Sequence, residues 1–307
     1  MKKIGILGLG NNYTLMLKLL KKTRDIEFTG IYDYNKQLSE KVASSAKLSS
    51  NSNPFGLISK SDLLIVPKTD EKSYNLIIEC IQNSKHVIVD QAVNLYLNEI
   101  DELNKLATEA SVSVVPFLPY RFSNCLINTK SYIFNPVFIQ INYNSIPEFK
   151  TSSASKSDVL LNIIDIVINL VKANIKTINA NVVSVVGKIP QLINTRLEFD
   201  NGCIACISID FIASRDEFFL TVYQTGQIVS IDLNKNLSII KTFNRNNVLE
   251  FEITRPVIPK DENPYEEIIN YINTFETYLN PVNHLESFKN SMLILRKVEE
   301  KTMASLL

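Results

Sequence analysis

Lys3-Ile4-Gly5-Ile6-Leu7-Gly8-Leu9-Gly10-Asn11-Asn12-Tyr13 is the stretch on which the reading of this chain turns. Lys3–Leu7 is a short apolar run that reads as a strand, Gly8 and Gly10 interrupt it, and Tyr13–Lys22 continues with helical spacing. Gly8 lets the chain turn tightly off the strand. Gly10, with no side chain, lets backbone approach a diphosphate. The helix behind them presents unpaired N–H groups and the positive end of its dipole to the phosphates. Asn11 and Asn12, at the helix entry, are expected cofactor contacts. The next apolar run, Glu27–Tyr32, ends at Asp33, 23 positions after Gly10 and close to the ~20 that a ribose-binding acid requires. A carboxylate there accepts hydrogen bonds from both hydroxyls of an adenosine ribose and repels a 2′-phosphate, which favours NAD over NADP. The alternative is a solvated loop acid or a helix cap. The third glycine of the G-x-G-x-x-G fingerprint is absent, and Tyr13 stands in its place.

Working outward, the alternation continues. Lys36–Ala46 is helical, Asp62–Val66 a strand, Ser73–Ser84 an amphipathic helix, His86–Val89 a strand, Leu97–Ala110 a helix and Val112–Phe117 a strand. Strands alternating with helices imply crossover units and a parallel sheet. After Pro119 the pattern changes. A strand (Val137–Tyr143) and a helix (Asp158–Val171) precede Lys176–Val186, Gln191–Phe199, Cys203–Phe211, Glu217–Tyr223 and Gln227–Asp232, with further candidates at Asn236–Thr242 and Glu250–Thr254. Asp200-Asn201-Gly202 marks a hairpin turn. The end is helical: Tyr265–Leu279, a break at Asn280-Pro281, then His284 onward. The expected fold is α/β: a Rossmann domain over residues 1–119, then an α+β domain over 120–307 with an open, mostly antiparallel sheet. Thr151–Ser157, rich in Ser and Lys, is the expected mobile loop.

The 307 residues carry 32 basic and 32 acidic side chains, so no global field draws nucleic acid or an anionic membrane surface. No run of about 18 apolar residues predicts a membrane span. The opening Met-Lys-Lys reads as the start of a strand rather than of a signal peptide. Cys203 and Cys206 form a C-x-x-C, but on a strand positions three apart face opposite sides, which opposes a redox or zinc site. No metal is expected, and free thiols fit a cytoplasmic protein.

Several of these stretches together resemble the glucose–fructose oxidoreductase/inositol dehydrogenase (Gfo/Idh/MocA) family over nearly the full length. They are Ile4–Gly10, Ile31-Tyr32-Asp33, Lys85-His86-Val87, Tyr120-Arg121-Phe122, Phe199-Asp200-Asn201-Gly202 and Pro281 through Glu286. The resemblance implies a dinucleotide domain, a larger open-sheet domain used in pairing, and a small substrate bound near the nicotinamide. It also exposes two departures. Where the family has Glu-Lys-Pro, this chain has Asp90-Gln91-Ala92, so Gln91 replaces the substrate-polarising lysine. In the stretch Asp158 to Asp165, Asn162 replaces the family's acid/base histidine, while Asp165 is retained one helical turn away. Neither Gln91 nor Asn162 can transfer a proton near pH 7.

Asp90, Asp158, Asp165, Lys68 and Tyr120 are the candidate replacements, with Lys68 and Asp90 also expected beside the cofactor. Arg121 is expected to clamp a substrate anion or to form an interdomain salt bridge. His86 reads as a core residue and His284 as a cap or surface residue. Two functions stay open: an NAD-dependent oxidoreductase with a rearranged site acting on a sugar-like or other small hydroxy or keto compound, and a catalytically silent dinucleotide- or sugar-binding regulator. A homodimer or homotetramer is expected. One reason is that Cys203, Ala205, Ile207, Ile209 and Phe211 alternate as on a covered sheet face.

Overall fold

Asn35 and Asp70 start two of the helices that cover the first sheet: their side chains accept from the backbone N–H groups of Leu38 (3.1 Å) and Ser73 (2.9 Å). These caps belong to a computed structural model that describes residues 2–10, 13–67, 70–90, 92–147, 153–187, 189–244, 247–259, 263–277 and 284–304. The chain divides into two compact units, Met1–Leu118 with Asn263–Asn290, and Pro119–Glu262 with Ser291–Leu307.

In the first unit the order is β1 (Lys2–Leu7), α1 (Tyr13–Leu20), β2 (Ile26–Tyr32), α2 (Lys36–Ala46), α3 (Pro54–Lys60), β3 (Leu63–Val66), α4 (Glu71–Gln82), β4 (His86–Val89), α5 (Leu97–Glu109) and β5 (Val114–Pro116). The five strands pair in parallel, in the order β2-β1-β3-β4-β5. Every residue of β3 and β4 is buried, as a parallel sheet covered on both faces requires, so β3 and, after His86, β4 read as apolar runs. The sequence reading placed nothing at α3. Its seven residues are too few to show a period, yet Asn53 caps it and Pro54 opens it. The returning helix α8 (Pro264–Thr277) is tied to α1, because Asn263 Nδ2 donates to the Leu19 carbonyl and to Thr23 Oγ1, both at 3.0 Å.

The second unit opens with a 3-10 turn, Pro119–Phe122, and α6 (Asn124–Thr129), followed by β6 (Pro136–Asn144) and the long α7 (Ser153–Val171). Then come β7 (Ile175–Val183), β8 (Leu192–Phe199), β9 (Ile204–Asp210), β10 (Glu217–Gln224), β11 (Gln227–Asp232), β12 (Leu237–Asn244) and β13 (Asn247–Thr254). The last helix, α9 (His284–Ala304), contributes residues to both units. The eight strands run β13-β12-β11-β10-β6-β9-β8-β7, antiparallel except for the β6–β9 pair.

Two expectations change here. The segment Thr151–Ser157 is not a loop from Ser153 on, because α7 begins there. Its first turns are held by Lys156 Nζ donating to the Pro190 carbonyl and by Ser157 Oγ donating to Glu299, both at 2.7 Å. The alternating face of Cys203, Ala205, Ile207, Ile209 and Phe211 is buried within the chain itself, in the sheet whose strand β6 packs on α7, so that alternation alone does not argue for a partner. Cys206 points the other way and is half-buried, and all four cysteines are free thiols. Burial pushes the Cys203 thiol up to about 11. Among the described residues no group of His, Cys, Asp and Glu side chains is placed to hold a metal, and no helix is long and apolar enough to cross a membrane.

Candidate functional site

Asp33 organises the end of the first sheet. The chain leaves β1 at Gly8, whose N–H donates to the Tyr32 carbonyl at 2.7 Å, joining the ends of β1 and β2. The next amide, Leu9 N–H, donates to Asp33 Oδ2 at 2.7 Å. The other oxygen, Oδ1, accepts from Asn35 N–H, also at 2.7 Å, which sets up the cap of α2. The carboxylate therefore holds the glycine turn and begins a helix at once. Among the described residues these bonds use two of its roughly four acceptor directions, leaving two for hydroxyl donors.

The two glycines do different work. Gly8 adopts φ +90°, and a Cβ built there would meet nothing within 4 Å among the described residues, so among these its missing side chain leaves open space above the turn. A Cβ on Gly10 would lie 2.5 Å from the Pro67 carbonyl oxygen just beyond β3. The protein's own packing requires glycine there. That contact brings the turn close to the neighbouring strand, the kind of close approach usually credited to the third glycine of the fingerprint. Asn11, Asn12, Lys68 and Gln91 lie outside the described residues.

Asp90 follows β4, with its N–H donating to the Val66 carbonyl at 2.9 Å. Its charge reaches Tyr265, the second residue of α8, whose phenol is pushed up first by burial and then by Asp90. The Tyr265 ring stacks on Phe117, just past β5, with centroids 4.4 Å apart and planes at 13°. Sequence reading took Tyr265 only as a helix start. Nothing local marks a residue that joins a sheet more than 140 positions earlier in the chain. His86 is a core residue: it is buried, and its Nδ1 accepts from Ser113 N–H at 3.0 Å, so that nitrogen carries no proton. His284 is buried at the first residue of α9 rather than exposed as a surface residue.

In the second unit α7 places Asn162 and Asp165 one turn apart. Asp165 is 1% exposed and is held bidentately by Arg121 from the Pro119–Phe122 turn: Nε donates to Oδ2 at 2.8 Å and Nη2 to Oδ1. Ser291 Oγ also donates to Oδ1, at 3.1 Å. The two roles expected for Arg121 are an anion clamp and an interdomain salt bridge; the salt bridge it makes with Asp165 lies inside one unit, so it is not the interdomain bridge expected. Both carboxylate oxygens of Asp165 are thereby engaged by Arg121. Asn162 Nδ2 donates back to the Asp158 carbonyl at 2.9 Å, while its Oδ1 is buried with no hydrogen-bond partner among the described residues. Tyr120 packs edge-on against Phe218, centroids 4.8 Å apart. Lys130 lies near Arg121 and Lys172, and burial followed by their charges pushes its ammonium down, against the pull of Asp165.

Comparison with known proteins agrees with this geometry. Residues 2–117 match the family described as "Oxidoreductase family, NAD-binding Rossmann fold" (GFO_IDH_MocA). The glucose-6-phosphate 3-dehydrogenase of Bacillus subtilis (strain 168) is 28% identical over 135 residues, which cover 44% of this chain and 39% of that protein. The match thus spans about two fifths of the curated relative's length. The UDP-N-acetylglucosamine 3-dehydrogenase GnnA from Acidithiobacillus ferrooxidans superimposes with a TM-score of 0.88 at 14% identity, covering 100% of this chain and 99% of the other. A dehydrogenase (MviM) from Clostridium difficile gives 0.83 at 19% identity, covering 98% and 99%. At these identities the likeness establishes the shared fold.

Proposed function

We propose that this chain is an NAD-dependent oxidoreductase of a sugar-like hydroxy or keto compound, because residues 2–117 match the Gfo/Idh/MocA oxidoreductase family model with its NAD-binding Rossmann fold. The observation that carries the reading is the Asp33 carboxylate, which bonds the Leu9 amide of the glycine turn and keeps acceptor capacity for two ribose hydroxyls. The open space at Gly8 admits a diphosphate against the start of α1, and Asn11 and Asn12 directly precede that helix in the sequence. NAD rather than NADP fits an acid at the ribose, since a 2′-phosphate would face Asp33 directly. When bound, NAD would take or give a hydride.

The chain's own residues then orient the substrate and carry a proton. Gln91 and Asn162 supply hydrogen bonds only. With Asp165 engaged by Arg121, the remaining proton carriers are Asp90, Asp158, Lys68 and Tyr120. The two named sugar dehydrogenases among the similar proteins support a sugar-like substrate. A second reading, a dinucleotide- or sugar-binding regulator without turnover, is favoured by one observation: at the position of the family's acid/base the Asn162 amide bonds to its own helix. A panel of sugars assayed with NAD and NADH separates the two.

Asp33→Ala is expected to weaken NAD binding about tenfold or more by calorimetry, since it removes acceptors for two hydroxyls. Unchanged affinity would dismiss the ribose role. We also propose a homodimer through the face of the large sheet opposite Ile207. Phe219, Leu237, Ile239, Phe251 and Ile253 share that face by strand register and are 37–56% exposed. Light scattering at micromolar concentration should give twice the chain mass, and a monomer would refute the pairing.

A further inference from the structure

Tyr34, the residue after Asp33, is an exposed aromatic that is nevertheless held from three sides. Its ring sits edge-on to Tyr32, with centroids 5.4 Å apart and planes at 73°. The Lys72 ammonium lies 5.1 Å from its centroid. Its hydroxyl donates to the Lys72 carbonyl at 3.4 Å, in the first turn of α4. About half of its surface, 51%, remains open. A tyrosine in an ordinary solvent loop has no reason to be fixed this way. The fixing contacts also come from separate elements: Tyr32 ends β2, and Lys72 belongs to the helix that follows β3. In the sheet order β2-β1-β3 these flank β1, so the ring bridges the carboxyl-terminal edge of the sheet beside the glycine turn.

We propose that Tyr34 is the stacking wall for the adenine base of the dinucleotide, held in place by the latch of its hydroxyl to the first turn of α4. This rests on the dinucleotide reading above and adds to it the residue that grips the base. Asp33 fixes the direction: if its carboxylate holds the adenosine ribose, the base attached to that sugar lies beside the next residue and not at the β4–β5 end of the sheet. A flat purine needs an open π-face, and a fixed ring presents one without losing rotamer freedom on binding. The phenol is a neutral donor under ordinary conditions, because burial, then Tyr32 and Asp70, push its ionisation up.

The test uses the full chain with ADP-ribose, NAD and nicotinamide mononucleotide as probes. Tyr34→Ala should weaken ADP-ribose and NAD about tenfold and leave the mononucleotide unchanged, while Tyr34→Phe, which keeps the ring, should retain most of the affinity. The chain contains no tryptophan, so Tyr34→Trp introduces a single reporter. Its emission should be quenched by ADP-ribose and not by ribose 5-phosphate. A Tyr34→Ala protein that binds ADP-ribose as tightly as its parent would overturn the proposal and leave the dinucleotide reading standing. Equal loss of ADP-ribose and the mononucleotide would overturn it too, because a wall for adenine cannot act on a ligand that lacks adenine. A parent protein that binds neither ADP-ribose nor NAD would defeat the dinucleotide reading itself.

Discussion

Arg121→Ala is expected to destabilise the second unit by about 3–5 kcal/mol, the usual consequence of removing one partner from a buried ion pair. Asp165 is 1% exposed, and the Arg121 side chain is 12% exposed. Without the guanidinium, the carboxylate keeps the Ser291 hydroxyl at 3.1 Å and the more distant pull of Lys130 but loses its hydrogen-bonded counter-charge. The loss should appear as a lower urea midpoint. The pair itself is less valuable than its breakage suggests, since desolvating two ions offsets most of their attraction. Replacing both, as Arg121→Met with Asp165→Leu, should therefore recover most of the lost stability. A single variant within about 1 kcal/mol of its parent would show that the pair does not hold α7 to the Pro119–Phe122 turn.

Gly10→Ala is expected to destabilise the first unit more than Gly8→Ala does. The added methyl would sit 2.5 Å from the Pro67 carbonyl oxygen, a backbone atom anchored at the end of a buried strand. Overpacking typically costs about 1–3 kcal/mol, and a contact this short against backbone belongs at the upper end. Gly8→Ala meets no atom within 4 Å among the described residues, and only its φ of +90° opposes it. That strain is worth about 1–2 kcal/mol. The two variants should therefore separate. Gly10→Ala lowers the denaturation midpoint most, while Gly8→Ala loses proportionally more NAD affinity because its methyl enters the open space above the turn. Paired denaturation and calorimetry would measure both. Equal effects on stability would mean that the turn moves away from Pro67 freely.

The first sheet was legible because its strands are local apolar runs bounded by turn residues. Asp33, the acid at the end of β2, was legible because its distance from Gly10 is set by one strand–helix–strand unit. The missing third glycine was legible too, but its replacement was not. Gly10 itself makes the close approach, to Pro67, which lies 57 positions on and leaves no mark near Tyr13. The Cys203 to Phe211 alternation correctly described a buried face, but periodicity records burial and not what covers it. Ser- and Lys-rich composition argued for a loop at Thr151–Ser157, and contacts to Pro190 and Glu299 overrode it from Ser153 on.

By itself, then, the order of residues determined the two architectures, the glycine turn and the acid at the end of β2 that holds it. Only the tertiary structure decided which charges are engaged. Arg121 and Asp165 stand 44 positions apart, and so do not show as a pair in a string. Tyr265 on Phe117 and Tyr34 on Lys72 arise in the same way. Backbone periodicity is written in neighbours three or four residues apart, whereas a side chain's chemistry is set by whatever folding brings within a few ångströms of it.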